Sequence, residues 1–246
     1  MLNPADFSCC RAYFDRDPVL YIDMEETITR GEGRVLYASP SGGLLAYDQY
    51  RENGQDSGFA MCAADLPTAE AIFALLPERP GFIVGHELLY QQRLQARFPT
   101  LAPGHSCYQV AYMKKRPLPL PELGFSLRSL TPADFPAVRA QYHLAGDSYL
   151  HRLLEQGALY GAFSGNMLAG FAGIHAEGSV GLLEVLPQYR RRGLGSLLES
   201  YIINRSLEKG QVPYGQVFTD NTVSFALQDR LGLTRSAGML FWATED

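Results

Sequence analysis

Apolar and polar positions alternate along the chain in short runs that read as strands and helices, and the two halves repeat one order. In the second half a strand is expected at 125–130, and Thr131-Pro132-Ala133-Asp134 then reads as a helix start with proline in its first turn. Two helices follow, the second near 148–156. Apolar runs at 159–163, 167–174 and 180–186 are separated by Ser164-Gly165-Asn166 and Glu177-Gly178, which predicts an antiparallel meander of three strands. Leu194, Leu197, Leu198, Tyr201 and Ile202 fall at helical spacing on one face, and Lys209-Gly210 supplies the basic and glycine residues of a helix end. A strand at 214–219, a helix at 221–231 and a strand at 239–243 complete this half. The first half reads as strands at 35–38, 44–47 and 59–63, a helix at 67–76, a strand at 82–84, a helix at 87–98 and a strand at 107–113. The shared order β-β-β-α-β-α-β predicts an α+β fold built on mixed sheet and duplicated without obvious sequence repetition.

The clearest break is Lys114-Lys115-Arg116-Pro117-Leu118-Pro119-Leu120-Pro121, where a charge run meets prolines at alternate positions. Such a segment is stiff and extended, and can continue neither a helix nor a central strand. It divides the chain into 1–116, a linker at 117–124, and 125–246.

Composition narrows the function. With 46% apolar and 19% charged residues in a chain of 246, a buried core is expected, and disorder or coiled coil is excluded. No apolar run reaches the roughly 18 residues needed to span a bilayer, and residues 1–10 lack a signal-peptide pattern, so a cytoplasmic protein is expected. The net charge of −5 is spread along the chain, which disfavours nucleic acid and anionic membranes as partners. Cys9, Cys10, Cys62 and Cys107 follow no C-x-x-C spacing, and the histidines form no metal-binding motif, so reduced thiols and no metal are expected.

One stretch carries chemistry. Val185-Leu186-Pro187-Gln188-Tyr189-Arg190-Arg191-Arg192-Gly193-Leu194-Gly195-Ser196 lies where a strand ends and the clearest helix begins. Backbone N–H groups at a helix start lack intrahelical partners and the helix dipole adds positive potential, so a glycine turn there suits a phosphate or pyrophosphate. Three arginines strengthen the case for an anion. The alternative is a solvated basic turn before an ordinary amphipathic helix. Neither a P-loop nor a dinucleotide fingerprint is present.

Arg190-Arg191-Arg192-Gly193-Leu194-Gly195 resembles the R/Q-x-x-G-x-G/A signature of the GNAT acyltransferase superfamily, with Leu183-Glu184-Val185-Leu186-Pro187 before it like the family's fourth strand. Asn221-Thr222-Val223-Ser224, Leu227 and Leu231-Gly232-Leu233 resemble its closing N-x-x-S/A block, so the resemblance covers 125–243. Pro213-Tyr214-Gly215-Gln216-Val217 and Gly178-Ser179-Val180-Gly181 are most similar to the branch related to glycine N-acyltransferases, which carries a degenerate GNAT-like first half. The resemblance implies a tandem GNAT-like fold and acyl transfer from acetyl-CoA, or another acyl-CoA, to the amine of a small molecule or amino acid. It implies a coenzyme A site at Leu183, Val185, Leu186, Arg190, Arg191, Arg192, Gly193, Leu194, Gly195 and Ser196, with Asn221 and Ser224.

The general base is open among three residues. Glu184 stands in the apolar run Gly181-Leu182-Leu183-Glu184-Val185, where facing a cleft would raise its pKa and facing outward would not. Glu177 and His175 flank a hairpin, where exposed polar residues are ordinary. Gln228 stands where the family often has a tyrosine acid, and a carboxamide cannot supply that proton. A non-catalytic acyl-CoA-binding module is therefore the alternative reading. In the first half the corresponding stretch is Ala64-Asp65-Leu66-Pro67-Thr68, without glycine or arginine, so that half is expected to bind no cofactor and to serve as acceptor-site wall, homodimer surface or scaffold.

Overall fold

The computed structural model describes residues 6–52 and 54–245. The first half runs through α1 (Arg11–Phe14), α2 (Ile22–Thr29), β1 (Gly33–Ser39), β2 (Gly42–Tyr47), a ribbon of β3 (Arg51–Glu52) and β4 (Gln55–Asp56), β5 (Gly58–Ala63), α3 (Leu66–Phe73), β6 (Phe82–Gly85), α4 (Gln91–Arg97) and β7 (Leu101–Ala111). The second runs through β8 (Ser126–Ser129), α5 (Phe135–Arg139), α6 (Asp147–Glu155), β9 (Leu159–Ser164), β10 (Met167–Ile174), β11 (Val180–Val185), α7 (Leu194–Glu208), β12 (Tyr214–Phe218), α8 (Thr222–Leu231), β13 (Thr234–Arg235) and β14 (Leu240–Glu245). Helices α1 and α2 precede the expected first strand. At four and eight residues they are too short to display a helical period.

The chain forms two compact units that are not its two halves. One comprises the chain up to Ala111 together with Gln216–Thr222 and the stretch from Thr234 onward; the other comprises Tyr112–Gly215 and Val223–Leu233. The expected continuous division at 117–124 differs from this, because β14 lies hydrogen-bonded between β6 and β7 in the first unit's sheet.

That sheet has the order β1-β2-β5-β6-β14-β7-β12, with β13 also pairing β7. β5 and β6 are parallel, whereas β14 is antiparallel to both its neighbours. Every residue of β2, β5 and β6 is buried, the mark of strands covered on both faces. Leu45, Tyr47, Ala60 and Cys62 pack with Phe14 of α1, Met24 of α2 and Tyr21 just before α2, and Leu44, Phe59 and Met61 pack with Ile72, Phe73 and Leu94 of α3 and α4. Glycine lets β14 fit: a Cβ at Gly85 would overlap the Phe241 ring.

The second unit carries an antiparallel sheet of order β11-β10-β9-β8. On one face Leu150, Leu153 and Leu154 of α6 and Val138 of α5 pack with Phe163, Phe171 and Leu182. On the other, Leu194, Leu197, Leu198 and Ile202 of α7 rest on Ala162, Ala169 and Ala172, small side chains that let the helix approach closely. Residues 117–124 form neither helix nor strand, and the segment is tied down. The Asn204 carboxamide on α7 accepts from the Leu118 N–H at 2.7 Å and donates to the Leu118 carbonyl at 2.8 Å, replacing the partners a ladder would supply.

Phe241 is 1% exposed, so Phe241→Ala should cost about 3–5 kcal/mol of stability. A chemical denaturation midpoint unchanged from wild type would contradict this packing.

Candidate active site

β11 is an edge. Among the described residues no strand pairs with its outer side. The Leu186 N–H bonds inward to the Ala169 carbonyl at 3.0 Å, so Val185, one residue earlier, turns its N–H and C=O to the outer edge. There its carbonyl accepts from Arg190 Nε at 2.8 Å. This arginine, expected to add positive potential for a phosphate, thus also braces the strand exit.

Beyond β11 a short 3-10 turn, Pro187–Tyr189, leads into the basic loop. Arg191 and Gly193 both adopt left-handed backbone, with φ of 59° and 79°. For arginine this conformation is uncommon, and it marks a sharp turn of the chain just before the helix. The guanidinium of Arg192 lies 5.8 Å from the centre of the Tyr189 ring. Gly193 is the N-cap of α7 and no side chain caps that helix. The first bond into the helix runs from the Leu197 N–H to the Gly193 carbonyl, so the amides of Leu194, Gly195 and Ser196 precede the intrahelical ladder and point out of its N-terminus. An extended amide chain can pair with the edge of β11 while its phosphates meet the α7 amides, so these residues fit coenzyme A. Ser224 lies on α8 in the second unit, and Asn221 belongs to the first.

A bulge decides which way Glu184 points. Phe171 pairs with Glu184 and Gly173 with Gly181, so Ala172 faces two residues, Leu182 and Leu183, and Leu182 takes a φ of 52°. Leu183 and Val185 face α7, while Leu182 packs toward α5 and α6. By alternation Glu184 also faces α5 and α6. Burial raises its pKa, with Arg190 and His143 pulling in the opposite direction. Tyr142 shares this face. Burial, and then the carboxylates of Glu184 and Glu177, push its hydroxyl up to about 12.

Glu177 is not the exposed hairpin residue expected. It is 1% exposed, its carboxylate accepts from Ser179 Oγ at 2.6 Å, and its carbonyl accepts from Tyr214 Oη at 2.5 Å. His175 is half-buried, with Nδ1 3.0 Å from Tyr149 Oη, and that hydroxyl accepts from the Ala176 N–H at 3.1 Å. The structure thus gathers Glu184, Glu177 and His175 with Tyr142, Tyr149 and Tyr214, three tyrosines the sequence pattern does not mark. Spacing along the chain carries no signal for them, since they come from the α5 exit, α6 and β12.

The first unit uses the same positions differently. Beyond β5, Asp65 caps α3 by accepting from the Thr68 N–H at 2.8 Å, and Pro67 removes a donor. The Ala63 N–H at the strand end donates to Glu87 Oε2 at 2.9 Å, and Glu87 Oε1 accepts from Tyr13 and Tyr21 at 2.7 and 2.8 Å. Carboxylates of the chain itself satisfy the amides that an anion or carbonyl would otherwise meet.

The bulged edge strand, glycine loop and uncapped helix define the class: the fold is that of the GNAT acetyltransferases. The family described as FR47-like protein matches residues 159–241. Similar solved structures include a Drosophila protein at 17% identity and TM-score 0.61, covering 82% of this chain and 79% of that one. A GCN5-related N-acetyltransferase from Sphaerobacter thermophilus is 16% identical with TM-score 0.52, covering 96% and 89%. Another from Kribbella flavida is 13% identical with TM-score 0.52, covering 93% and 94%. No curated protein matches the chain in sequence. Among the described residues no group of histidine, cysteine and carboxylate side chains could hold a metal, and no helix is long and apolar enough to cross a membrane.

Glu87→Ala would strand three donors, the Ala63 amide and two tyrosine hydroxyls, and should destabilise the protein by about 2 kcal/mol or more. Thermal and urea unfolding matching wild type would contradict it.

Proposed function

We propose that the chain is an N-acyltransferase that moves an acyl group, acetyl in the simplest case, from acyl-CoA to the amine of a small molecule or amino acid. The observation that carries this reading is the continuous path from the outer edge of β11 through the left-handed turns at Arg191 and Gly193 to the uncapped start of α7. The loop and helix amides hold the phosphates, and the β11 edge orients the pantetheine arm. The outward N–H of Val185 is placed to receive the oxyanion as the thioester carbonyl is attacked. On the opposite face of β11, Glu184 takes the proton of the incoming ammonium group; burial gives it a basicity above that of an ordinary carboxylate. Glu177 and His175 shape this face through Ser179, Tyr214 and Tyr149 and are the second choices for the base.

The first unit, in this reading, holds no coenzyme A, because Asp65 and Glu87 already occupy its helix start and strand end. Its role is scaffold, acceptor-site wall or homodimer surface.

Calorimetry with acetyl-CoA should find one site per chain, and Gly193→Glu, which adds a carboxylate at the phosphate position, should abolish binding. Two equivalent sites, or unimpaired binding by the variant, would sink the assignment.

Glu184→Gln should lower turnover by roughly a hundredfold or more while acetyl-CoA affinity changes little. A base must be unprotonated, so wild-type turnover should fall as pH drops through the Glu184 pKa, which burial places above the ordinary value of 4.5. The variant should lose that acid limb. Wild-type rates in the variant near neutral pH would assign Glu184 a structural role and leave the alternative, a non-catalytic acyl-CoA-binding module, if no amine supports thiol release by either protein.

A further inference from the structure

Acyl transfer leaves a thiolate that needs a proton, and Gln228 cannot act as an acid. One buried titratable group lies beside it. Glu199 on α7 is 6% exposed, and burial pushes its carboxyl up to about 7, opposed by a hydrogen bond from Gln228 that favours the carboxylate.

The place of this pair in the fold is specific. Glu199 follows Gly195 by four residues and so shares its face of α7. A Cβ at Gly195 would lie 3.7 Å from Leu227 Cδ2 and 3.9 Å from Val185 Cγ2, so that face looks toward α8 and the end of β11. Glu199 therefore lies one helical turn inward from the phosphate loop, with Gln228 of α8 beside it. Gln228 is 9% exposed, and its Oε1 has no hydrogen-bond partner among the described residues. An acceptor left open beside Glu199 suits a donor that arrives with the ligand, as a thiol S–H would. Charged groups on the surrounding elements do not act on Glu199: Glu184 faces the other side of the sheet, and Asp229 and Arg230 on α8 are exposed.

We propose that Glu199 is the acid that protonates the leaving sulfur and that Gln228 positions it, a step that rests on the acyl-transfer reading. As the amine nitrogen bonds to the thioester carbon, the C–S bond breaks and its electron pair stays on sulfur. The Glu199 O–H gives its proton to that sulfur, forming the thiol and the Glu199 carboxylate. Two protons leave the nitrogen between ammonium and amide: Glu184 gives the first to solvent before attack, then takes the second from the tetrahedral adduct and returns it through solvent to Glu199, which restores both groups and releases one proton per turnover.

Glu199→Gln removes the proton and keeps the shape. The variant should bind acetyl-CoA as wild type does but release thiol at least about tenfold more slowly. An acid must be protonated, so wild-type kcat should fall as pH rises through about 7, and the variant should lose that alkaline limb. A second readout needs no ligand. A carboxyl whose pKa is raised on folding loses stability as pH rises from 4.5 to about 7, so wild type should lose stability relative to Glu199→Gln across that window. Should the glutamine variant fail to fold, Gln228→Leu removes the donor that favours the carboxylate and should move the alkaline limb to higher pH. Wild-type thiol release and an intact alkaline limb in Glu199→Gln, or an unmoved limb in Gln228→Leu, would overturn this step alone. Thiol release from no amine by wild type would overturn the acyl-transfer reading and this step with it.

Discussion

A strand at the edge of a sheet leaves half of its backbone donors and acceptors without a ladder, and the second unit is organised around that constraint at β11. Most proteins blunt such an edge with charge, proline or a covering element. Here the Arg190 guanidinium takes one carbonyl, and the chain turns away through two left-handed residues into a helix with no side-chain cap. The strand edge and the helix start therefore present hydrogen-bonding groups along one continuous path. The bulge opposite Ala172 adds a second consequence, since it sets the register that turns Glu184 to the α5 and α6 side while Val185 faces α7.

The first unit shows what happens when the same backbone needs are met internally. Glu87 accepts from the Ala63 amide and from two tyrosines, and Asp65 caps α3. A carboxylate that accepts hydrogen bonds from several neutral donors is a strong internal partner, because the acceptor is ionised. It also places negative charge where a phosphate or thioester would have to come. Sequence differences of a few residues, Asp65-Leu66-Pro67 against Arg192-Gly193-Leu194, thus separate a satisfied strand end from an open one.

Much of this was legible in the sequence where the signal is local. The leucines of α7, the hairpin punctuation of β9 to β11 and the glycine turn each depend on neighbours a few residues away, and each lies where expected. The place of β14 was not legible, because the run at 239–243 looks the same in either sheet and its partners, Phe82–Gly85 and 101–107, lie far off in sequence. Nor was the burial of Glu177. Hairpin position suggests exposure, and only Ser179 and Tyr214 folded over it reverse that. The facing of Glu184 needed the bulge, which alternation in an apolar run cannot reveal.

Hydrogen exchange of individual amides, measured with and without saturating acetyl-CoA, tests the central claim most directly. The amides of Leu183, Val185, Leu194, Gly195 and Ser196 should slow markedly, because the ligand takes the outer edge of β11 and the N-terminus of α7, while those of Ala63 and Thr68 should not change. Slowing at Ala63 and Thr68, or none at Val185 and Gly195 under conditions where acetyl-CoA is bound, would contradict the account.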